Sequence, residues 1–267
     1  MYNIMKPIFR WTIGNTSNIG FECLKTSIRS MLKLYKDRFD YFICFNNVNV
    51  QILREIIGCK KIRLIKQTWN DCPLPLCEKE NRYTSLWKFC PARLNINCHE
   101  IVCDNDIVII NKISKIDEFL NEKKILLVED PLKCQGKFRN LFEDGEKYNA
   151  GFVGLPPGYD LVKAMYFIWD ENCRPKIINN DDEQGLVTAA LKKEEFIKIS
   201  KEEMMLVHSN GSTLFFGYNK ETNKNNFSFK PVNFFESDIF AYHFVGLNRE
   251  IHNHWGLFKV DMKNKII

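Results

Sequence analysis

The sequence has no Cys-x-x-Cys pair, no basic tract and no apolar run long enough to cross a membrane. The chain carries 10 cysteines, but without paired spacing they do not predict a zinc site, and we expect them to be reduced. Lys and Arg are scattered and the net charge is only +5, which disfavours a nucleic-acid partner. Residues 1–10 lack the apolar stretch of a signal peptide. We therefore expect a cytoplasmic protein with no transmembrane segment and no nucleic-acid partner.

What the chain does have is the composition of an ordinary globular protein. Hydrophobic residues make up 45% and charged residues 27% of its 267 residues. This length is enough for one large α/β domain with a sizeable core. No linker or internal repeat divides it, so we predict a single domain over residues 1–267 and leave the oligomeric state open.

The first half of the chain alternates strand-like and helix-like segments. Apolar residues recur at three- and four-residue steps from Leu24 to Tyr35, which predicts one buried helical face. Its other predicted elements are strands at Trp11–Gly14, Phe39–Phe45 and Lys61–Ile65 and helices at Val50–Ile57 and within Tyr83–Leu94. This order predicts an α/β fold with a mostly parallel central sheet flanked by helices.

The second half mixes the two kinds of segment. Asn219–Asn226 is rich in Asn and Lys, which predicts a loop. The predicted strands are Glu100–Cys103, Ile125–Val128, Tyr148–Leu155 and Phe240–Phe244, and the predicted helices are Leu161–Trp169 and Glu183–Leu191.

Asp104, Asn105 and Asp106 directly follow a predicted strand. In an open parallel sheet, ligands bind beyond the carboxyl ends of the strands. Two carboxylates one residue apart can hold Mg²⁺ or Mn²⁺, and such an ion can bridge two phosphate oxygens. Asp-Asn-Asp is also favoured turn chemistry, so the spacing alone leaves a simple turn as the alternative.

Four segments along the chain resemble the motifs of GT-A glycosyltransferases, in the same order. They are Ser85–Leu94 with His99–Val108, Tyr148-Asn-Ala-Gly-Phe-Val-Gly, Asp182-Glu-Gln-Gly-Leu and Tyr242-His-Phe-Val-Gly. The last is similar to a segment of glycosyltransferase family 8 and its relatives. The resemblance implies a GT-A-like, Rossmann-like fold and metal-dependent transfer of a sugar from a nucleoside-diphosphate-sugar to an acceptor hydroxyl, as in hexosyltransferases.

The resemblance also implies a metal site. Asp104, Asp106 and His243 match the ligand positions of that superfamily. An imidazole beside two carboxylates favours Mn²⁺, with Mg²⁺ as the alternative, because Mg²⁺ prefers oxygen ligands throughout. Without the motif order, the sequence favours His243 as a core histidine that hydrogen-bonds to the backbone over a metal ligand.

Donor-binding residues follow from the same motifs. Lys88 and Arg93 stand where relatives place a basic residue against the donor, although both also suit an exposed helix face. The implied donor-binding set is Thr12, Gly14, Asn15, Lys88, Arg93, Asp104, Asn105, Asn149, Ala150, Gly246 and Arg249. Residues 1–110 would then bind a nucleotide-sugar, a UDP-sugar or alternatively a GDP-sugar. Residues 111–267 would face an acceptor that the sequence leaves open as a glycan, lipid or protein.

The implied catalytic residues are Glu183 and Gln184, with Asp182 as an alternative carboxylate. Family 8 has Asp where this chain has Glu183, and a longer carboxylate can either position the sugar or act as a general base. Carboxylates in a first helical turn are also simple capping residues. The Lys-Pro-Trp run of family 8 is absent, and Arg249 is the nearest cation. We expect retention of the anomeric configuration, with inversion as the alternative.

Two other functions remain compatible with the sequence. A sugar-nucleotide pyrophosphorylase shares a similar sheet but needs a glycine-rich basic loop, and residues 14–20 match such a loop poorly. A catalytically inactive nucleotide- or carbohydrate-binding module is the alternative from another class, because a fold does not guarantee turnover.

Overall fold

The computed structural model describes residues 5–58, 61–68, 86–89, 91–131, 134–209, 213–219, 224–227, 239–245 and 255. Its strands are β1 (Ile8–Ile13), β2 (Asp40–Phe45), β3 (Ile62–Lys66), β4 (Glu100–Asp104), β5 (Ile107–Ile109), β6 (Ile125–Glu129), β7 (Tyr148–Leu155), β8 (Phe196–Ile199), β9 (Met204–Ser209), β10 (Thr213–Asn219), β11 (Lys224–Phe227) and β12 (Ala241–Val245). The helices are α1 (Asn18–Tyr35), α2 (Val50–Ile57), α3 (Ser114–Asn121), α4 (Leu161–Glu171) and α5 (Asn180–Leu191), with short 3-10 helices at Leu86–Phe89 and Gly136–Leu141.

The central sheet has seven strands in the order β3-β2-β1-β4-β7-β6-β8. β1 is parallel to β2 and β4, β2 to β3, and β6 to β8, whereas β7 runs antiparallel to β4 and β6. The predicted mostly parallel sheet is therefore confirmed. Strand order reverses around β1, where β4 lies beside β1 on the side opposite β2, and such a crossover opens a crevice at the carboxyl ends.

Helices cover both faces of this sheet. Ile101 and Cys103 pack with α1, α2 and α3 in one apolar cluster, while Val102 between them packs with α4 and α5 in another. This follows from the alternation of side chains along a strand. α1 begins where Ser17 accepts a hydrogen bond from the Gly20 amide, and its apolar stripe is buried as the periodicity predicts.

A second, five-stranded sheet has the order β11-β10-β9-β12-β5. β5 follows β4 after a two-residue turn, so this sheet is attached to the central one at the end of β4. The pairing of β12 with β5 sets His243 opposite Ile107. The predicted loop at Asn219–Asn226 was wrong in part, because Lys224–Phe227 forms β11 by antiparallel pairing with β10. The tertiary partner outweighs the low strand propensity of Asn and Lys there.

Two further expectations concern membrane-spanning segments and the state of the cysteines. Among the described residues, no helix combines the length and hydropathy that a bilayer-spanning segment requires. Six cysteines of the described residues are free thiols: Cys23, Cys44, Cys98, Cys103, Cys134 and Cys173. Burial raises the pKa of Cys44 to about 11, so this thiol stays protonated near neutral pH. Cys59, Cys72, Cys77 and Cys90 lie outside the described residues.

A buried ion pair links the amino ends of β1 and β4. Arg10 and Glu100 are both 0% exposed, and Arg10 Nε lies 3.0 Å from Glu100 Oε1. Arg10 also donates to the carbonyls of Pro91 and Ala92, at 2.9 Å each, and Glu100 Oε2 accepts from the Leu94 amide at 2.9 Å. The pair therefore fixes the segment that runs from the first 3-10 helix into β4.

We predict that Glu100→Gln lowers the free energy of unfolding by about 3–5 kcal/mol, because it leaves a buried guanidinium without its countercharge. Urea denaturation measures the change. Glu122→Gln is the matched control, since Glu122 pairs with Lys124 on the surface and should contribute no more than about 1 kcal/mol. Equal losses in the two variants would contradict the structural role of Glu100.

Candidate metal and donor site

Three potential metal ligands meet where the two sheets join. Asp104 ends β4, Asp106 follows in the turn, and His243 extends from β12. Their ligand atoms lie within 4.8 Å of one another, and His243 Nε2 is 3.3 Å from Asp106 Oδ1. The predicted set of Asp104, Asp106 and His243 is thus brought together by strands far apart in the sequence.

The chemistry of this cluster fits a divalent cation. Asp106 Oδ1 is buried and faces His243 Nε2 at 3.3 Å without accepting a hydrogen bond from it, although buried carboxylate oxygens normally accept hydrogen bonds. Two carboxylates and an imidazole suit Mn²⁺ and related ions. The electrostatics agree: burial raises the pKa of Asp104, partly offset by Lys88. Burial lowers the pKa of His243, but Asp106, Asp104 and Asp130 together raise it by more, so the net pKa is above its ordinary value. A bound cation would balance the negative charge of the two aspartates, which a proton on His243 or Asp104 balances without the cation.

Gly151 lies directly beneath these ligands, and the sequence interpretation gave it no role. A Cβ at this position would lie 2.8 Å from Asn149 Oδ1, 2.9 Å from His243 Cε1 and 3.0 Å from Asp104 Oδ2. Only glycine leaves room for all three side chains. The sequence feature that could have identified Gly151 is its place inside a predicted strand, because a glycine there often marks a point where a ligand or another group comes close to the backbone.

Lys88 supplies a cation beside the carboxylates. It lies in the first 3-10 helix, and its Nζ is 3.3 Å from both carboxylate oxygens of Asp104 and 3.6 Å from Glu183 Oε1. Burial lowers the pKa of Lys88, but Asp104, Glu183 and Asp106 together raise it by more, so the net pKa is above its ordinary value. Lys88 therefore stays charged between Asp104 and Glu183. Thr12 Oγ1 donates to Asp104 Oδ1 at 3.1 Å.

Other predicted donor residues also lie at this edge of the sheet. Gly14 follows β1 and packs against Trp87, since a Cβ there would be 2.9 Å from the indole Cζ2. Asn15 is exposed in the next bend. Asn105 Nδ2 donates to the Gly20 carbonyl at 3.5 Å, which ties the turn to α1.

A second polar cluster, centred on Asp130, was missed from the sequence. Asp130 follows β6 and is 3% exposed. Its Oδ2 accepts from Asn149 Nδ2 at 2.9 Å and from Gln184 Nε2 at 3.2 Å. Gln184 Oε1 in turn accepts from the Ala150 amide at 3.5 Å. One carboxylate thereby orients the side-chain amides of Asn149, a predicted donor-binding residue, and Gln184, a predicted catalytic residue. The sequence feature that could have identified Asp130 is an acidic residue directly after an apolar strand, as at Asp104.

Arg93, predicted to contact the donor, lies at the other end of β4. Arg93 donates to the carbonyls of Pro156 and Tyr159 at 2.9 and 2.8 Å, and it lies beside Glu100. That is the amino end of β4, about 13 Å along the strand from Asp104. Arg93 is therefore placed away from the donor residues.

The carboxylate of Asp182 is used by the backbone. Its Oδ1 accepts from the Lys137 amide at 3.0 Å and its Oδ2 from the Ile178 amide at 3.1 Å. Glu183 beside it is 3% exposed and faces Lys88 instead. Of this acidic pair, Glu183 is thus the residue that belongs to the site. Gly246 and Arg249 lie outside the described residues.

We predict that both Asp106→Asn and Gly151→Ala weaken Mn²⁺ binding, by at least about tenfold, in folded protein. Asp106→Asn removes a ligand charge, and the added methyl of Gly151→Ala displaces the ligand side chains. Isothermal titration calorimetry with Mn²⁺ measures the affinity, and circular dichroism checks the fold. Asp117→Asn is the control, because Asp117 is an exposed acid that pairs with Arg38 on the surface. Unchanged Mn²⁺ affinity in Asp106→Asn would rule out this cluster as the metal site.

No protein-family profile matches the sequence, and no curated protein matches it. Solved structures do resemble the fold. Mouse xyloside xylosyltransferase 1 in its apo form has a TM-score of 0.59 at 11% identity, over 92% of this chain and 100% of that chain. The galactosyltransferase LgtC, in complex with donor and acceptor sugar analogs, has a TM-score of 0.59 at 11% identity, over 97% and 94%.

The apo structure of the bifunctional glycosyltransferase WbbM has a TM-score of 0.61 at 12% identity, over 93% of this chain and 47% of that chain. At such low identity the likeness concerns the fold and carries no activity with it. The three similar structures are all glycosyltransferases, and the fold of this chain, with its mostly parallel seven-stranded sheet, matches theirs. This chain therefore has the GT-A fold.

Proposed function

We propose that the protein is a metal-dependent glycosyltransferase that moves a sugar from a nucleoside-diphosphate-sugar to an acceptor hydroxyl. The observation that carries the proposal is the cluster of Asp104, Asp106 and His243 at the carboxyl edge of a GT-A sheet, with Lys88 against Asp104. Mn²⁺ is the proposed metal, since a histidine stands among the ligands. A UDP-sugar is the proposed donor and a GDP-sugar the alternative, with residues 1–110 as the nucleotide-binding half.

The carboxylate side of the site binds the diphosphate in this proposal. Asp104, Asp106 and His243 would hold the cation, which would supply positive charge for a departing diphosphate. Thr12 fixes the orientation of Asp104 through its hydroxyl hydrogen bond. Lys88 is buried and held between Asp104 and Glu183, so its charge is in place before the donor arrives. Such preorganised charge stabilises the transition state without reorganisation during the reaction.

The amide side of the site positions the sugar. Gln184 and Asn149 are held by Asp130, so their orientation is fixed by hydrogen bonds instead of by the sugar itself. Glu183 completes this side, where it can accept from a sugar hydroxyl or take the proton of an acceptor hydroxyl. We propose the first role and retention of configuration, because His243 and Gln184 match the retaining pattern of family 8. Asp182 has no part in the proposal, since both its oxygens hold backbone amides.

The acceptor is proposed to approach from the half formed by residues 111–267, which contributes Asp130, Asn149, Glu183 and Gln184 to the site. Its chemical class, a glycan, lipid or protein, is left open. A cytoplasmic location is part of the proposal and rests on the free thiols of the described cysteines.

We expect hydrolysis of a nucleotide-sugar, measured as released nucleoside diphosphate, to require a divalent cation. A panel of UDP- and GDP-sugars with Mn²⁺, Mg²⁺ or excess chelator tests this requirement. Asp106→Ala should abolish the activity, because the site then loses the charge that holds the diphosphate. Turnover that persists in chelator would contradict the proposal, and metal-dependent binding without any turnover would identify an inactive binding module.

For Glu183 the change to test is Glu183→Gln. If Glu183 acts at the sugar or as a base, turnover should fall by roughly a hundredfold or more with the fold preserved. Simple capping of α5 predicts instead a loss of about 1 kcal/mol or less of stability and nearly normal turnover. Glu171→Gln, at a surface residue of α4 that pairs with Lys193, serves as the control. Anomer analysis of the product then distinguishes retention from inversion.

A further inference from the structure

A cavity of about 340 Å³ lies at the amino edge of the central sheet, away from the metal site. We call it the amino-edge cavity, and the side chains that give it its character are Lys6, Ile8, Phe42, Arg63, Ile65 and Leu94. Ile8 is in register with Glu100 at the start of β4, and Asp104 lies at the other end of that strand, about 13 Å away. The cavity has the size of a small-molecule site and is separate from the donor edge.

The floor of the cavity is apolar. Ile8, Phe42 and Ile65 come from three neighbouring strands, and they pack with Leu94 and Cys98 in a small apolar cluster. α1 and α2 pack on the opposite face of these strands, whereas α4 and α5 pack on the cavity face further along the sheet, from β4 to β6. Burial raises the pKa of the Cys98 thiol, so it stays protonated and adds to the apolar wall. Such a floor suits the apolar part of a ligand.

The solvent side of the cavity is positively charged. Arg63 lies over the Phe42 ring, with its guanidinium carbon 4.1 Å from the ring centroid, and its Nη2 is 3.0 Å from Asp40 Oδ2. The Arg63 side chain is still 59% exposed, and Lys6 is exposed as well. These two cations and the carboxylate of Asp40 are the charged groups that line the cavity, two positive charges against one negative. The lining therefore favours an anionic group at its solvent side.

A second source of positive charge lies behind the cavity wall. Arg93 Nη2 donates to the Cys98 carbonyl at 2.6 Å, and Arg10 follows Ile8 on the same face of β1. Both guanidinium groups share the single carboxylate of Glu100. Salt screens buried charges less than surface charges, so the excess of positive charge acts on the nearby cavity. Surface and buried charges therefore favour the same sign of ligand.

We propose that the amino-edge cavity binds a medium-chain aliphatic carboxylate. Its chain lies on the floor formed by Ile8, Phe42 and Ile65, and its carboxylate lies at Arg63 and Lys6. A guanidinium has several N–H donors in a fork that matches a carboxylate, so Arg63 can bind the ligand and keep Asp40. Arg63 already covers the Phe42 ring, which leaves mainly aliphatic surface and so favours an alkyl chain over an aromatic ring. The inference goes beyond the proposed function and does not depend on it.

Calorimetric titration of the full chain with acetate, hexanoate, octanoate and octanol tests the proposal. Each methylene added between hexanoate and octanoate should raise the affinity about fourfold, because the chain is buried on the apolar floor. Octanol has the chain without the charge and should bind about three- to fivefold more weakly than octanoate, since the cations are largely exposed. Acetate has the charge without the chain and should show no measurable binding. Equal affinities for hexanoate and octanoate would contradict a buried chain.

Two variants locate the binding site. Arg63→Gln should weaken octanoate binding about three- to fivefold and leave octanol binding unchanged, whereas Lys61→Gln, at an exposed lysine that pairs with Asp37, should alter neither. Ile65→Phe fills the cavity and should weaken both ligands by about tenfold or more. Ile52→Phe, at an exposed isoleucine of α2, is its matched control. Circular dichroism checks the fold, and if Ile65→Phe does not fold, the exposed Arg63→Gln change still decides.

The candidate metal site is the other place where a carboxylate could bind, so the octanoate titration is repeated with Mn²⁺ and with excess chelator. Octanoate should bind equally well in both conditions, and pyrophosphate with Mn²⁺ should not displace it. Octanoate binding that requires Mn²⁺ would assign the carboxylate to the metal site and overturn the inference. Octanoate affinity that Arg63→Gln leaves unchanged would place the ligand elsewhere and overturn it too. Neither result bears on the nucleotide-sugar assay, so the proposed function is tested separately.

Discussion

The buried carboxylate of Glu100 is the interaction on which the rest of the site depends. It lies between Arg10 and Arg93, and the two guanidinium groups in turn bind the backbone carbonyls of the segment before β4. This segment follows the 3-10 helix that carries Lys88. β4 therefore has two different ends: its amino end is fixed by a closed network of charges, and its carboxyl end presents Asp104. Fixing the first end limits how far Lys88 can move relative to the second.

At the carboxyl end the charges are not balanced by the protein alone. Asp104, Asp106 and Glu183 lie in or beside one crevice, and the cations that face them are Lys88 and His243. Burial disfavours the charged forms of Asp104, Lys88 and His243, so each of them needs a close partner to remain ionised. Lys88 offsets Asp104 and Glu183, whereas an oxygen of Asp106 keeps no hydrogen bond. A site with one cation too few is suited to bind an additional one.

The side-chain amides near the site differ in whether the protein itself provides their hydrogen-bond partners. Asn149 and Gln184 are both bound by Asp130, so the protein itself satisfies and orients them. Gln67, on the far side of Asp104, is buried, and its side-chain amide has no hydrogen-bond partner among the described residues. Oriented amides favour a sugar of fixed geometry, because their rotamers are set before binding.

Sequence periodicity and strand-end chemistry determined most of the central fold. The α1 stripe, the strands on either side of it and the position of Asp104 after β4 all follow from local patterns, because each is encoded within a few consecutive residues. β11 was missed, since its Asn and Lys residues become a strand only through pairing with β10. The roles of Arg93 and Asp182 were also decided by the tertiary structure. Their hydrogen bonds go to backbone groups that packing brings near, which no spacing of side chains reveals.

The candidate metal site combines residues that the sequence predicts together with residues that only strand pairing brings near them. Asp104 and Asp106 are one residue apart and a strand end explains them, so the sequence by itself determined that two carboxylates share an edge. His243 joins them only because β12 pairs with β5, and Gly151 leaves room for them only because β7 pairs with β4. Gln67 and Asp130 were decided in the same way. Pairing between strands distant in the chain sets which side chains meet, and that register depends on the packing of the whole sheet.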